Sequence, residues 1–283
     1  MATFATSDQL LLIIDPAARH RDGESVRIAK DVLSAGATAK VCMPDGPEEF
    51  ARALGRRGSR RPVVVGDDRA LVRAVTLLHR QRELAGCGLS VVPVGGAGLA
   101  ESLGVPAGTV AAARAVLDGA ERRLDLLVDD SDGVVLGALG IPPAPLRQAP
   151  VEPLAVPSGR PWLRTTYRSL VRTLAPRPAR PDPAGPVCGP SRLRVEVDGQ
   201  TVVDLHQPLE AVSVTPGASG AARVEIRPLS LGAEATPIRA HGQTVTVTGA
   251  DFRYRADAAV SGPVRRRTWR VLPEAWALTL PAR

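Results

Sequence analysis

Apolar positions along the chain follow two rhythms, and the change between them falls near residue 124. Before that point, short unbroken apolar runs alternate with segments whose apolar residues recur every three or four positions, as buried strands followed by amphipathic helices would. Leu10 to Ile14 predicts a buried strand closed by Asp15-Pro16, "GESVRIAKDVLSAG" a helix ending at Gly36, and "TAKVCM" a short strand. "PEEFARALGRRG" predicts a second helix, with Pro47 in its first turn and Glu48 and Glu49 placed well against the helix dipole. Val63 to Val65 predicts a third strand, "RALVRAVTLLHRQREL" a third helix, "GLSVVPVG" a fourth strand and "GTVAAARAVLDG" a further helix closed by Gly119. Strands and helices in this alternation imply a parallel sheet covered on both faces.

Beyond residue 124 the period becomes two. "RLRVEVDGQTVVDL", "AARVEIRPLSL", "QTVTVTGADFRYRAD" and "RRTWRVLPEAWALTLP" alternate apolar and polar residues between Gly and Pro, as antiparallel strands of a β-sandwich do. Asp198-Gly199 in the first of these is a hairpin turn. The expected fold is therefore an N-terminal parallel α/β domain over 1–124 followed by an antiparallel β-sandwich domain over 125–283. A Pro-rich insertion interrupts the latter at about 142–190.

Composition narrows the function classes. With 44% hydrophobic residues and only 3% aromatics, the core must be built from Val, Leu, Ile and Ala. The net charge of +7 suits an anionic partner, although heavy Arg, Ala, Gly and Pro usage is also what a biased genome composition produces. Cys42, Cys87 and Cys188 are too far apart for a C-x-x-C site, and His20, His79, His206 and His241 lack metal-ligand spacing. No apolar stretch reaches transmembrane length and "MATFATSDQL" is not a signal peptide, so a cytoplasmic protein is expected. Aromatics are too few for a nucleic-acid stacking platform, and nucleic acid is not an expected partner.

Candidate chemistry concentrates in "VGDDRALVRAV", where a strand ends in Gly66-Asp67-Asp68 and a helix begins. Backbone N–H groups at such a helix start attract phosphate, whereas two carboxylates repel it. Either the turn has been rewired through Arg69 and Arg73, which carry charge that can pair with phosphate, or its acids only cap the helix. "GGAG" at 95–98 follows a strand but lacks the G-x-G-x-x-G spacing of a dinucleotide site.

The order of these strings resembles the diacylglycerol kinase catalytic family, which includes bacterial lipid kinases and is related to sphingosine kinases. Asp15-Pro16-Ala17-Ala18 is similar to the family's Asn-Pro-x-Ser/Ala-Gly turn, "VGDDRALVRAV" to V-G-G-D-G-T-L-N-E-V, and "VVPVGGAGLAESLGVP" to I-P-x-G-T-G-N-D-F-A-R-x-L-G-I-P. "AARAVLDGAERRLDLLVDD" and "RTWRVLPEAWALTLP" resemble the family's passage into, and ending of, its second domain. The resemblance implies an ATP- and Mg²⁺-dependent transfer of phosphoryl to a diacylglycerol-like hydroxyl, with Asp68 as base. Asp15, Pro16, Gly66, Asp67, Arg69, Arg73, Pro93, Gly95 and Gly96 would then lie along the nucleotide phosphates. Departures are equally visible. Asp67 and Arg69 replace family glycines, Arg73 a glutamate and Gly96 a threonine, the Asn-Asp pair is missing, and Asp257 stands without the family's Asp-Gly-Glu string. These departures open the alternative of a pseudokinase that binds lipid, nucleotide or a protein without turnover.

Arg160, Arg164, Arg168 and Arg172 recur every four residues opposite Leu163, Tyr167, Leu170, Val171 and Leu174, with Ser158 as N-cap. This pattern predicts a basic amphipathic helix, packed either on its own domain or peripherally on an anionic inner membrane surface.

Overall fold

The computed structural model describes residues 9–96, 98–143, 191–217, 219–230 and 236–282. All of these belong to one compact unit. The basic helix expected around Arg160, Arg164, Arg168 and Arg172 lies outside the described residues, as does nearly all of the Pro-rich insertion.

Strands β1 (Gln9–Ile14), β2 (Thr38–Cys42), β3 (Arg61–Gly66) and β4 (Gly88–Pro93) form a parallel sheet in the order β2-β1-β3-β4. Leu10 to Ile14 and Val63 to Val65 are all buried, which is why these strands read as continuous apolar runs without alternation. The helices are α1 (Pro16–Arg21), α2 (Gly23–Gly36), α3 (Pro47–Gly55), α4 (Asp68–Arg80), α5 (Gly98–Ser102) and α6 (Thr109–Asp118). Helix α2 packs against α6, while α3 and α4 pack on each other and on β1 and β3. Asp22 caps α2 by accepting the Ser25 N–H at 3.0 Å. Helix α4 buries Ala70, Leu71, Ala74, Val75 and Leu78 on one stripe. It stops at Arg80, four residues before the sequence pattern does. Arg82 takes a left-handed φ of 59°, and Leu84 still reaches the core from the loop beyond, so its apolar spacing mimics another helical turn. The short helices α1 and α5 were not legible in the sequence.

The remaining strands are β5 (Ala120–Asp129), β6 (Val134–Val135), β7 (Leu139–Ile141), β8 (Ser191–Val197), β9 (Gln200–Val203), β10 (Pro208–Pro216), β11 (Ala222–Pro228), β12 (Ile238–Gly242), β13 (Thr244–Ala256) and β14 (Ala259–Leu280). They pair with one another antiparallel, and β7 and β8 each bridge β10 to β13. Alternation sends Val195, Val197, Val245, Val247, Trp269 and Val271 into a second core. Asp198 and Gly199 turn β8 into β9 with φ of 49° and 79°, the left-handed pair that a tight hairpin requires. The far end of β14 pairs in parallel with β4 at Ala277 and Leu278, joining all strands into one hydrogen-bonded network. Trp276, Leu278 and Leu280 thereby complete the first core, although Trp276 comes 183 residues after Pro93 at the end of β4.

Candidate functional site

From β1 the chain moves to β2 on one side, and from β3 it moves to β4 on the other. The crevice outside the carboxyl ends of β1 and β3 is thus a topological switch point, where open α/β sheets place ligands. Asp15 and Gly66 stand there side by side, linked by the Asp15 N–H donating to the Val65 carbonyl at 2.9 Å. A Cβ on Gly66 would come 2.9 Å from the Ala70 Cβ and 3.0 Å from the Asp15 Cβ, so only glycine lets strand, helix and Asp15 approach this closely. Pro93 pairs with Gly66 in register, and Gly95 turns the chain with φ of 95°. The Gly96 carbonyl accepts the Asp68 N–H at 3.2 Å. Pro16 opens α1 next to Asp15. Asp15, Pro16, Gly66, Asp68, Pro93, Gly95 and Gly96 thus lie at this one edge.

The carboxylates at this edge are engaged by the chain itself. Asp67 Oδ1 accepts the N–H groups of Arg69 and Ala70 at 3.1 and 3.2 Å, capping α4, and its Oδ2 takes Arg21 Nη1 at 3.1 Å. Asp68 Oδ2 and Oδ1 accept the Leu99 and Ala100 N–H groups at 3.0 and 3.2 Å, capping α5. Asp15, 4% exposed, receives Arg73 Nη1 at 3.4 Å, and the Arg73 guanidinium lies 5.6 Å above the Phe50 ring. Arg69 is exposed. The departures from the lipid-kinase motifs are therefore mutually complementary. Asp15 pairs with Arg73, and Asp67 satisfies the amides that its own helix leaves free.

Across from this edge sits Asp257, at the tip of the β13–β14 hairpin with φ of 46°. Its carboxylate accepts N–H groups from Leu136, Gly137 and Ala138 at 2.7, 2.8 and 3.0 Å, while its own N–H donates to the Ala138 carbonyl at 2.9 Å. Burial pushes the Asp257 carboxyl above the ordinary carboxylate range; the three amides pull it back only in part, and the Asp68 charge adds to the rise. Arg21 is the member of the site that the motifs did not single out, and Asp257 entered the sequence reading only as an acid without the family's Asp-Gly-Glu string. Arg21 had a signal in the basic string "ARHR" directly after Asp15-Pro16, and Asp257 in its place between two alternating runs. Among the described residues, no three His, Cys, Asp or Glu side chains converge as a metal site, and no helix is long and apolar enough to cross a membrane.

No family model matches the sequence, and no curated protein matches it either. Solved structures do. A candidate diacylglycerol kinase from Bacillus anthracis str. Sterne superposes with a TM-score of 0.68 over 98% of both chains, at 14% identity. A second structure, of a diacylglycerol kinase from the same organism, gives 0.65 over the same shares at 12% identity. The chain has the diacylglycerol kinase fold.

Proposed function

We propose that this chain is a lipid-kinase-like protein that uses its cleft for binding without ATP-driven phosphoryl transfer. In this reading, an N-terminal α/β domain and a C-terminal β-sandwich flank the cleft, and the partner is a lipid or an anionic membrane surface. The observation that carries it is the Asp67 carboxylate, which holds the α4 N-terminus and Arg21. A nucleotide phosphate at the same amides would meet a fixed negative charge and a side chain where the lipid-kinase motif has glycine, so the residues present do not fit the phosphates of ATP. Asp68 is likewise committed as the cap of α5. The test is calorimetry with ATP, with and without Mg²⁺, alongside a radiolabel assay on dispersed diacylglycerol. No product and no binding at millimolar ATP are expected; turnover above a heat-inactivated control overturns the reading.

A second reading, in which transfer survives, is favoured by Asp257. Its carboxyl, raised above the ordinary carboxylate range by burial and by the Asp68 charge, would accept the proton of an acceptor hydroxyl on exchanging one of its three N–H donors. Wild-type turnover abolished in Asp257→Asn would establish it.

A further inference from the structure

Three strands, β5, β6 and β14, contribute side chains to both cores, and β5 pairs with each of the other two there. On β5, Leu126 belongs to the first core and Leu127 to the second; on β14, Trp269 and Val271 belong to the second and Trp276 to the first. The ladder is broken at the crossing. Leu272 pairs with Leu126 and Trp276 with Leu124, so Asp125 alone faces Pro273, Glu274 and Ala275. A bulge of this kind is where a two-strand ribbon bends.

Asp125 is 8% exposed and ties this bulge down. Its Oδ1 accepts the Glu274 N–H at 2.9 Å, its Oδ2 accepts the Gly220 N–H at 2.7 Å, and its backbone carbonyl accepts Trp276 Nε1 at 3.4 Å. Glu274 sits at φ of 47° and Gly220 at 74°. Glycine takes such a conformation freely, but a glutamate holds it only where its surroundings fix it. Gly220 also lies against Pro273, whose Cβ would be 3.3 Å from any Cβ placed there. One buried carboxylate thus joins the bulge of β14 to the turn before β11, at the point where the chain crosses between cores.

We propose that the β5–β14 crossing is a hinge between the two cores and that Asp125 is its lock. With the carboxylate in place, the bulge keeps a single geometry, and the distance between the Asp68 and Asp257 walls of the cleft is fixed. Without it, Glu274 leaves its left-handed conformation, the ribbon bends, and the cores sample several separations. This does not depend on whether the protein turns over nucleotide.

The test compares wild type with Asp125→Asn in the full chain, by amide hydrogen exchange and small-angle scattering. Asparagine keeps the shape but turns an NH₂ toward one of the two N–H donors. Exchange at Glu274 and Gly220 is expected to quicken at least about tenfold, as loss of a hydrogen bond to a charged group allows. Val64 and Val247, deep in the two cores, should keep their protection, and the scattering profile should broaden to a mixture of separations. Glu274→Gly, which keeps the N–H donor and removes the left-handed cost, should leave scattering and Gly220 exchange at wild-type values. Uniformly faster exchange through both cores, or unchanged scattering, overturns the hinge and leaves Asp125 a residue of stability alone. If Asp125→Asn does not fold, Asp125→Ser is measured in its place. Failure of both to fold likewise overturns the proposal.

Discussion

Replacing Asp67 by glycine separates what this side chain does for the fold from what it denies to a ligand. Two things are lost on the stability side. The helix cap is one, and glycine at an N-cap is only a few tenths of a kcal/mol worse than aspartate. The Arg21 pair is the other. Arg21 is 56% exposed against 13% for Asp67, so solvent screening leaves the pair worth well under about 1 kcal/mol. The sum is about 1 kcal/mol at most, which in a chain of this size lowers Tm by roughly 2–4 °C. On the binding side, the Arg69 amide and the Arg21 guanidinium become free, the Ala70 amide keeps only its bond to the backbone carbonyl of residue 67, and the like charge is removed. A single hydrogen bond to a charged phosphate is worth about 1.5–3 kcal/mol, so ATP or pyrophosphate affinity should rise at least about tenfold. Asp67→Asn is the control. Asparagine caps as well as aspartate but carries no charge, so it should lose only the Arg21 pair, lower Tm by less than Asp67→Gly does, and give an intermediate gain in affinity. Calorimetry and differential scanning fluorimetry on the three proteins measure both sides. Equal nucleotide affinity in wild type and Asp67→Gly would refute the claim that this carboxylate excludes phosphate.

Three further outcomes are expected. Gly66→Ala should destabilise by about 1–3 kcal/mol in urea titration, the range for overpacking, because its Cβ must push Ala70 or Asp15 aside; a loss below 0.5 kcal/mol, roughly the scatter of neutral surface changes, would refute the close approach. Asp129 is pushed up by burial, but the Ser131 hydroxyl, the Gly133 and Ser131 N–H groups and Arg267 together hold it below the ordinary range. Its stabilisation is therefore complete above the unfolded value of about 3.9 and is lost as pH falls through the lower folded value; Asp129→Asn should flatten the acid limb of stability against pH, and an unchanged limb would count against this balance. If the arginine stripe at 160–172 meets a membrane, the protein should sediment with anionic but not neutral vesicles, and Arg164→Glu with Arg168→Glu should release it; equal binding to both vesicle types would dismiss the stripe.

The sequence by itself determined the elements whose burial is local. Leu10 to Ile14 and Val63 to Val65 are buried on both faces and so are apolar without interruption, and α4 carries its core stripe at helical spacing. The alternating segments after residue 124 show their inward positions just as directly, because a strand with one buried face repeats every two residues. The site edge was legible for the same reason: Asp15, Gly66 and Gly95 stand at ends of strands that the apolar runs locate. What only the tertiary structure decided are the pairings between distant residues. Arg21 reaches Asp67, Arg73 reaches Asp15, Asp257 is brought opposite Asp68, and Trp276 to Leu280 fill the first core. None of these leaves a periodic trace, since a charge or an apolar residue reads identically in the sequence whether its partner is solvent, a neighbour or a strand two hundred residues away. Whether Asp67 repels a phosphate or takes its place at the helix is a matter of where its two oxygens point, and that is fixed by the folded positions of Arg69, Ala70 and Arg21.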